Sequence, residues 1–334
     1  MSTIKHVAAR AGVSFTTVSH VLNGTRRVSD SARRRVEEAI AELDYAPSAI
    51  ARALKRSETR MLGVVVPNIT NPFFAELTRG IEDFCERSDY SVFLCDGDDD
   101  VARQARSLQT LIERRVDGLL LAAPAGDTRA LAQRLAAARV PTVVIDRADG
   151  EIAADVLRLD HRAGARLAVE HLVSLGHRRI ACLSGPAEFA ISRARAGGWR
   201  DALADAGIAI GDDWLLEGDF SAATGHALTR RLLGRGDITA IFASNDLLGL
   251  GALRAAAESG IAVPQRLSVI GFDGIDLGAY AYPALTTVGF PIRAMGEMAA
   301  QILIERIAGS GAAPREVVVP ARLMPRESTG PAPE

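Results

Sequence analysis

Polar and aromatic side chains that follow or lie near apolar runs are the residues of this chain best suited to binding a ligand. They comprise two carboxylates, two arginines, two asparagines and four phenylalanines: Asn71, Phe73, Phe74, Asp146, Arg147, Phe189, Arg195, Phe220, Asn245 and Asp273. Carboxylates accept hydrogen bonds from paired hydroxyls, arginine and asparagine donate to hydroxyl oxygens, and aromatic faces cover C–H patches. The set favours a small polyol, so the predicted ligand is a monosaccharide or a derivative of one. Each residue alone also has a structural interpretation, because strand-end carboxylates cap helices and phenylalanines fill cores.

The elements that must position these residues are apolar strands that alternate with helices. Strands are predicted at 62–67, 92–96, 118–122, 142–146, 156–159, 180–184, 240–244 and 267–273, and helices at 73–87, 102–115, 163–175, 193–206 and 247–259. Near-continuous Val, Ile and Leu runs separated by helices indicate buried parallel strands, and ligands of such sheets bind at the carboxyl ends of the strands. Roughly 270 residues exceed one usual domain, so we expect two similar α/β lobes with a cleft between them.

The first 23 residues predict a different architecture, two short helices joined by a tight turn. Thr3 can cap the N-terminus of a helix with an apolar stripe at helical spacing, and Gly12 ends it. Ser14 can cap a second helix, which leaves four side chains facing outward: Phe15, Thr16, Ser19 and His20. This is the pattern of a helix-turn-helix, in which the second helix reads base edges near its N-terminus. A generic small helical bundle is the alternative.

The next segment makes this interpretation more specific. Ser29 opens a third helix that carries Arg33, Arg34 and Arg35 on its outer side, and a Pro-Ser-x-x-Ala-Arg-x-Leu segment follows at residues 47–54. The order of these features resembles the LacI/GalR family of bacterial transcriptional regulators, in register from Thr3 to Lys55 and more loosely beyond. The resemblance implies an all-α, lambda-repressor-like helix-turn-helix head and an α/β, two-lobed, periplasmic-binding-protein-like type I body.

The resemblance also implies a division of the chain and a set of residues that contact DNA. It places the helix-turn-helix domain at 1–47, a hinge helix at 48–59 and an effector-binding and dimerisation domain at 60–330. Within the last, the N-lobe spans about 60–160 and 290–319, and the C-lobe about 161–289 and 320–330. The DNA-binding residues would be Thr3, Ser14, Phe15, Thr16, Thr17, Ser19, His20, Asn23, Arg26, Ser48, Ala51, Arg52, Leu54 and Lys55.

The charge distribution agrees with a DNA-binding head. The first 60 residues hold 11 basic and 6 acidic side chains, whereas the remaining residues hold 28 and 35. A basic head on an acidic body favours phosphate binding by the head alone. A solvated charged face could give the same count without a partner, but it would not explain why the charge coincides with the helix-turn-helix.

Two departures from the family pattern bear on the ligand. Eight of the ligand-binding candidates are similar to the positions that hold monosaccharides in the family and in related periplasmic pentose-binding proteins: Asn71, Phe73, Phe74, Asp146, Arg147, Arg195, Asn245 and Asp273. Where relatives commonly carry glutamine, this chain has Gly289-Phe290-Pro291, which weakens a strict pentose assignment. Phe189 stands where the purine-responsive relative has an arginine, which argues against a purine.

Motifs for other kinds of chemistry and for other compartments are incomplete or absent from the sequence. Residues 249–254 begin like a dinucleotide-binding GxGxxG, but Arg254 takes the place of the third glycine. Residues 96–100 begin like a calcium loop, but the twelfth position is Ser107 and not glutamate. We therefore predict no catalytic residue, no metal and no cofactor. The absence of a signal-peptide pattern, of an apolar run of membrane-spanning length and of any CxxC predicts a cytoplasmic protein, nucleoid-associated when bound to DNA, with no membrane partner.

Three functions fit a two-lobed body of this kind. A solute-binding receptor would need an export signal and no helix-turn-helix, and a sugar-modifying enzyme would need a poised acid/base pair or a phosphate-binding loop. Neither is evident, so the predicted function is an effector-controlled regulator, most simply a repressor, that binds a palindromic double-stranded DNA operator. We expect a homodimer, because the prolines at 331 and 333 deny the chain's last residues a heptad helix that would add a tetramer contact.

Overall fold

The described part of the N-terminal unit contains three helices, and a hydroxyl side chain caps each of them. Helix α1 spans Ile4–Ala11, α2 spans Phe15–Asn23 and α3 spans Asp30–Glu42. The hydroxyl oxygens of Thr3, Ser14 and Ser29 accept the backbone N–H three residues later, as predicted. Such caps stabilise a helix by about 1 kcal/mol each. Gly12 ends α1 in the left-handed conformation, with a φ of 60° that glycine adopts without steric cost.

The structure, a computed structural model, describes residues 2–24, 26–45, 58–122, 128–146, 153–211, 213–236, 238–309, 311 and 313–333. It divides into two units, Met1–Arg60 and Met61–Glu334. The predicted hinge residues Ser48, Ala51, Arg52, Leu54 and Lys55 and the predicted ligand residue Arg147 lie outside the described residues. In the described part of the chain, no helix is both long enough and apolar enough to cross a membrane.

Two six-stranded sheets form the second unit. The strands of the first sheet are β1 (Met61–Val66), β2 (Ser91–Asp96), β3 (Gly118–Ala122), β4 (Thr142–Ile145), β5 (Asp155–Leu159) and β11 (Glu316–Val319), in the order β11-β5-β4-β3-β1-β2. Those of the second are β6 (Ile180–Ser184), β7 (Leu215–Glu217), β8 (Ala240–Ala243), β9 (Ser268–Asp273), β10 (Thr286–Gly289) and β12 (Arg322–Met324), in the order β12-β10-β9-β8-β6-β7. Every pairing is parallel except that of β10 with β12.

Helices connect most of the successive strands, but none of the described helices lies between β4 and β5 or between β11 and β12. The connecting helices are α4 (Pro72–Arg87), α5 (Val101–Glu113), α6 (Thr128–Ala138), α7 (His161–Ser174), α8 (Ala190–Asp205), α9 (Ala222–Leu233), α10 (Asp246–Glu258), a 3-10 helix (Asp276–Tyr280) and α11 (Ile292–Ile307). The predicted α/β body with two parallel sheets is confirmed. Strands β7, β10, β11 and β12 are three or four residues long and were not among the predicted strand ranges.

The chain crosses between the two sheets at three places. It leaves the first sheet after β5 and enters α7, which packs on the second sheet. It returns after β10 through α11, and crosses once more between β11 and β12. Helices α4 and α11 pack closely on each other, since a Cβ added at Gly80 would lie 2.0 Å from the Arg293 carbonyl oxygen. The crossings place residues 159–161 and 289–292 at the junction of the sheets, next to the carboxyl ends of β5 and β10.

Candidate effector site and DNA-reading surface

Three ligand-binding candidates lie at carboxyl ends of strands, as the strand-end rule predicts. Asp146 directly follows β4 of the first sheet, Asp273 ends β9 of the second, and Asn245 lies two residues after β8. Asp146 and Asp273 have positive φ angles of 66° and 106°, and Phe220, beyond β7, has 66°. Such angles cost a residue other than glycine roughly 1–3 kcal/mol and cluster at functional sites. Eight other non-glycine residues of the described chain also have positive φ angles, so these three angles agree with a site but do not locate it by themselves.

A continuous hydrogen-bonded chain joins Asp146 to Asp273 through two intermediate side chains. Asp146 Oδ1 lies 2.5 Å from His161 Nε2, and Arg195 Nε donates to His161 Nδ1 at 3.2 Å. The Arg195 Nη2 atom lies 3.0 Å from Asp273 Oδ1. No side chain of the four is more than 8% exposed. The chain therefore runs from the first sheet to the second through a nearly dry junction, where electrostatic interactions are stronger than at the surface.

Arg195 is the centre of this chain. It lies on α8, donates through Nη1 to the Ser244 carbonyl oxygen at 2.5 Å, and its guanidinium carbon is 4.1 Å from the centroid of the Phe272 ring. The planar guanidinium donates in fixed directions and stacks on aromatic faces, a combination that lysine cannot reproduce. Arg195 is thus held in one orientation by an anion, a carbonyl oxygen, an imidazole and a ring.

The two carboxylates on the second sheet differ in their electrostatic settings. Burial raises the pKa of Asp273, and the charge of the nearby Arg195 opposes that rise. Burial, with the charge of Asp273 next, raises the pKa of Asp246 to about 7, although Thr287 and two backbone N–H groups donate to it. Those N–H groups belong to Gly274 and Ile275, directly after Asp273. Asp246 therefore fixes the loop that carries Asp273.

Asn245 and Phe220 form a second contact beside the chain. The amide Nδ2 of Asn245 donates to the Phe220 carbonyl oxygen at 3.0 Å, while its Oδ1 caps α10 by accepting the Leu248 N–H. The Phe220 ring is half-buried and covers Gly185 so closely that a Cβ there would lie 2.0 Å from it. Asn245 is thus a capping residue as well as a neighbour of an aromatic face.

The remaining candidates lie apart from this chain. Asn71 caps α4 by accepting the Phe73 N–H, Phe73 is buried in the core, and Phe74 is half-buried with its ring 5.2 Å from that of Phe73. Phe189 is half-buried and precedes α8 without capping it. Within the described residues, no hydrogen bond, ion pair or ring contact connects these four to the chain from Asp146 to Asp273.

Sequence reasoning missed the residue that links the two sheets. His161 was not a candidate, because the helix it begins was predicted to start at residue 163. The helix starts two residues earlier, directly after the Asp160 cap, so His161 obeys the same strand-end rule that selected Asp146. Phe272 and Phe290 were also missed; their rings lie 5.9 and 6.4 Å from the His161 ring and enclose it.

A cavity of about 380 Å³ lies at the opposite end of the first sheet, at the starts of β4 and β5. Its lining includes Arg139, Asp155 and Arg306, and the last two are joined by two hydrogen bonds of 2.9 Å. Burial raises the pKa of Asp155, but the donors of Arg306 and the Arg315 backbone N–H outweigh it, so the pKa is lowered. These groups satisfy one another and anchor α11 to the sheet.

The outer surface of α2 holds most of the predicted base-reading residues. Phe15 is 55% exposed, Thr16 and Arg26 are exposed, and His20 is half-buried. The expectation that Ser19 faces outward is wrong, because Ser19 is only 8% exposed. Helix α2 contacts both α1 and α3, so its inward face is wider than one apolar stripe and includes this small side chain.

The other predicted residues of the head have local structural roles. Thr3 and Ser14 are the caps already described, and the Thr17 hydroxyl lies 2.8 Å from that of Ser14. Asn23 is the last residue of α2. Arg10, which was not a DNA-binding candidate, pairs with Glu42 and ties α1 to α3. Apart from Ser19, the predicted head residues whose side chains the structure describes are exposed or half-buried, so they remain candidates for DNA contact.

Comparison with known proteins agrees with both units. Residues 3–48 match the family model described as bacterial regulatory proteins, lacI family, and residues 169–329 match a periplasmic binding protein-like domain. The chain is 40% identical over 310 residues to the HTH-type transcriptional repressor PurR of Aliivibrio fischeri (strain MJ11), covering 92% of each chain. It is 41% identical over 310 residues to the ribose operon repressor of Escherichia coli (strain K12), covering 92% of this chain and 93% of the repressor.

Solved structures lead to the same family. The lac repressor dimer bound to operator and the anti-inducer ONPF superposes with a TM-score of 0.89 at 32% identity, covering 98% of this chain and 99% of that one. A LacI family regulator from Enterococcus faecium with bound ribose gives 0.73 at 36% identity, covering 81% and 99%. The chain belongs to the LacI family of bacterial regulators. It is a DNA-binding transcriptional regulator and not an enzyme.

Proposed function

We propose that this protein is a repressor that binds a palindromic operator as a homodimer and that a monosaccharide, bound between the two lobes, controls its affinity for DNA. The observation that carries the proposal is the buried chain from Asp146 to Asp273, which joins the carboxyl ends of strands from both sheets. A ligand at this junction contacts both lobes at once. The ligand can therefore change the relative position of the two lobes, as an effector must. As a regulator of chromosomal genes, the protein acts in the cytoplasm.

The charges at this junction suit a hydroxyl-rich ligand. Asp146 and Asp273 offer carboxylate oxygens that accept from paired hydroxyls, and Arg195 offers donors for the ligand's own oxygens. Phe220, Phe74 and Asn245 complete the proposed site, with the rings covering C–H faces of the sugar. Phe73 and Asn71 support it through the core and the α4 cap. Arg147 and Phe189 belong to the proposed ligand-binding set as well.

A purine base is the second candidate, because the family that the sequence resembles includes a purine-responsive relative. A purine base carries no paired hydroxyls for the two carboxylates, and Phe189 stands where the purine-responsive relative has an arginine. The ribose operon repressor, at 41% identity, and the ribose-bound regulator support the sugar. D-ribose is therefore the first ligand to test, with guanine as the alternative.

The proposed head reads DNA with Phe15, Thr16 and His20 in the major groove, while Arg26 contacts phosphate. Phe15 offers apolar contact to a thymine methyl, Thr16 can bond a base or a phosphate, and His20 can donate to a purine N7. Ser19, being buried, is withdrawn from this set. Thr3, Ser14 and Thr17 act through the helix caps, which aim backbone N–H groups at phosphates.

We assign DNA reading to residues 1–47, coupling between the two units to a hinge at 48–59, and effector binding and dimerisation to residues 60–330. Eight residues, Ser48 to Lys55, are fewer than the roughly 12 to 15 that make an isolated helix even marginal, so the hinge helix forms on DNA. Two hinges then pack in the minor groove, where the paired Leu54 side chains wedge into a base step. Effector binding changes the spacing of the two hinges and so controls the operator.

A homodimer matches the twofold symmetry of a palindromic operator. The described surface carries a short segment with exposed large side chains, Leu277, Tyr280 and Tyr282, and the two tyrosines are 88% and 96% exposed. Aromatic side chains are enriched in protein interfaces, so this segment is our proposed contact with the second copy. Sedimentation of the full chain at micromolar concentration should give a dimer, and a stable tetramer would contradict the assembly.

One experiment tests the proposed function. The purified full chain is titrated onto a labelled palindrome from its own upstream region at several salt concentrations, with D-ribose, with guanine and with neither. We expect tight, salt-sensitive binding that D-ribose alters and guanine does not. A response to guanine alone would establish the second candidate. Equal binding to the palindrome and to a scrambled duplex would refute sequence-specific regulation.

A further inference from the structure

His161 occupies the position where the chain passes from one sheet to the other. It is the first residue of α7, two residues after β5 ends, and its side chain is 7% exposed. The ring meets a carboxylate from the first sheet, Asp146, and a guanidinium from the second lobe, Arg195. Phe272 and Phe290 are the aromatic neighbours that enclose it. The imidazole is thus the only side chain of the Asp146–Asp273 chain that bonds directly to both lobes, among the residues described.

The hydrogen-bond geometry determines which ring nitrogen carries the proton. Arginine has donors and no acceptor, so the Arg195 Nε–H at 3.2 Å requires a lone pair on His161 Nδ1. The single proton of the neutral ring must then be on Nε2, where it is donated to Asp146 Oδ1 at 2.5 Å. If Nδ1 also carried a proton, its N–H would point at the Arg195 Nε–H. Arg195 therefore holds the imidazole neutral even though a carboxylate lies beside it.

The groups that face this ring have fixed, opposing charges. Asp146 approaches from the end of β4, Arg195 from α8 and Asp273 from the end of β9, where it pairs with Arg195 at 3.0 Å. The neighbours from β9 and from the segment before α11 are the uncharged Phe272 and Phe290. A neutral His161 leaves one cation between two anions, so each carboxylate keeps oxygens available to a ligand.

We propose that His161 is the positioning residue that couples the two lobes. As a neutral Nε2–H tautomer, it relays hydrogen bonding from Arg195 on one lobe to Asp146 on the other, so that a ligand contact to either carboxylate is transmitted to the other lobe. This role rests on the proposed effector function of the site. It goes beyond that function by assigning the lobe coupling to one side chain and one tautomer. Because the ring is enclosed, it acts through its two neighbours rather than by touching the ligand.

The tautomer can be tested without any ligand. Long-range ¹H–¹⁵N correlation spectra of the full chain at pH 7.5, assigned with His161→Gln, report which ring nitrogens are protonated. We expect an unprotonated Nδ1 and a protonated Nε2, and the same pattern in Asp146→Asn, because Arg195 and not Asp146 fixes the tautomer. A doubly protonated ring, or a proton on Nδ1, in the wild-type protein would overturn the assignment.

The coupling is tested with three variants. His161→Phe removes both hydrogen bonds but fills the space, and His161→Gln restores a donor and an acceptor. His171→Gln changes a half-buried histidine of the same helix whose ring bonds Thr329 of the second lobe. Calorimetry with D-ribose and operator binding with and without D-ribose are measured for each. Losing two buried hydrogen bonds to charged groups should weaken D-ribose binding by about 10- to 100-fold in His161→Phe and remove the effect of D-ribose on the operator. His161→Gln should recover most of both, and His171→Gln should match the wild type.

The outcomes separate this inference from the proposed function. A His161→Phe protein with wild-type D-ribose affinity and an unchanged D-ribose effect on operator binding would overturn the coupling role. Equal losses in His171→Gln and His161→Phe would do so as well, since they would reflect the helix and not the relay. A wild-type protein that ignores D-ribose would count against the proposed effector, and the nitrogen spectra would still decide the tautomer.

Discussion

Replacing Asp273 should separate DNA binding from effector response. Its carboxylate is 8% exposed and pairs with Arg195, which is 5% exposed, at 3.0 Å. Removing one partner of such a pair leaves an uncompensated buried charge, which costs about 3–5 kcal/mol. In Asp273→Ala we expect the free energy of unfolding to fall by an amount of this order, reduced where Ser244 and His161 continue to accept from Arg195.

The same change should weaken the effector more than the operator. Loss of a buried charged partner of the ligand costs about 2 to 5 kcal/mol, or roughly 30- to 5,000-fold in the dissociation constant. Calorimetry with D-ribose should therefore show little or no binding, whereas fluorescence anisotropy on the operator should show near-normal affinity. The head that reads DNA is a separate unit from the one that holds Asp273, which is the reason for this split.

Asp273→Asn is the matched control. It keeps the shape and one carbonyl oxygen that can accept from Arg195, so the loss of stability should be smaller than in Asp273→Ala while D-ribose affinity still falls. If Asp273→Ala bound D-ribose with unchanged affinity, Asp273 would have no place in the effector site. If Asp273→Ala lost operator affinity in step with its loss of stability, the separation of DNA binding from effector binding would be wrong.

Three further predictions concern the head, the hinge and the Asp273 loop. His20→Ala should change the preference among operator base variants, and equal losses of affinity on every variant would contradict base reading. Arg26→Ala should weaken binding to all sequences alike and flatten the salt slope by about one unit. Leu54→Ala should lose operator bending and specific affinity in gel-shift assays but retain salt-sensitive non-specific binding, so wild-type bending would exclude the wedge. Burial and the Asp273 charge raise the pKa of Asp246 to about 7, so the folded state binds its proton more tightly than the unfolded state. The contribution of protonated Asp246 to the free energy of unfolding should be present at pH 4 and be lost as the pH rises through 7. In urea unfolding, Asp246→Asn should show a weaker dependence of this free energy on pH in that window than the wild type does. The same pH dependence in both proteins would exclude the assignment.

The sequence by itself determined the elements and the class of protein. Thr3, Ser14 and Ser29 cap the three head helices where their positions predict, because a cap depends only on a few neighbouring residues. The eight long apolar runs form strands because their near-continuous hydrophobicity suits sheets covered on both faces. The strand-end rule placed Asp146 and Asp273 at the junction of the two sheets. These signals are local, so they could be read from the chain.

Only the tertiary structure decided how these residues act together. Ser19 is buried because α2 packs against two other helices. The sequence of α2 alone does not show this packing. Asp246 supports the loop after Asp273 through hydrogen bonds to residues 28 and 29 positions away. His161 joins Asp146 and Arg195 because the chain crosses between the sheets at that residue. Burial and long-range pairing depend on the packing of whole elements, and a linear pattern of residue types does not contain that information.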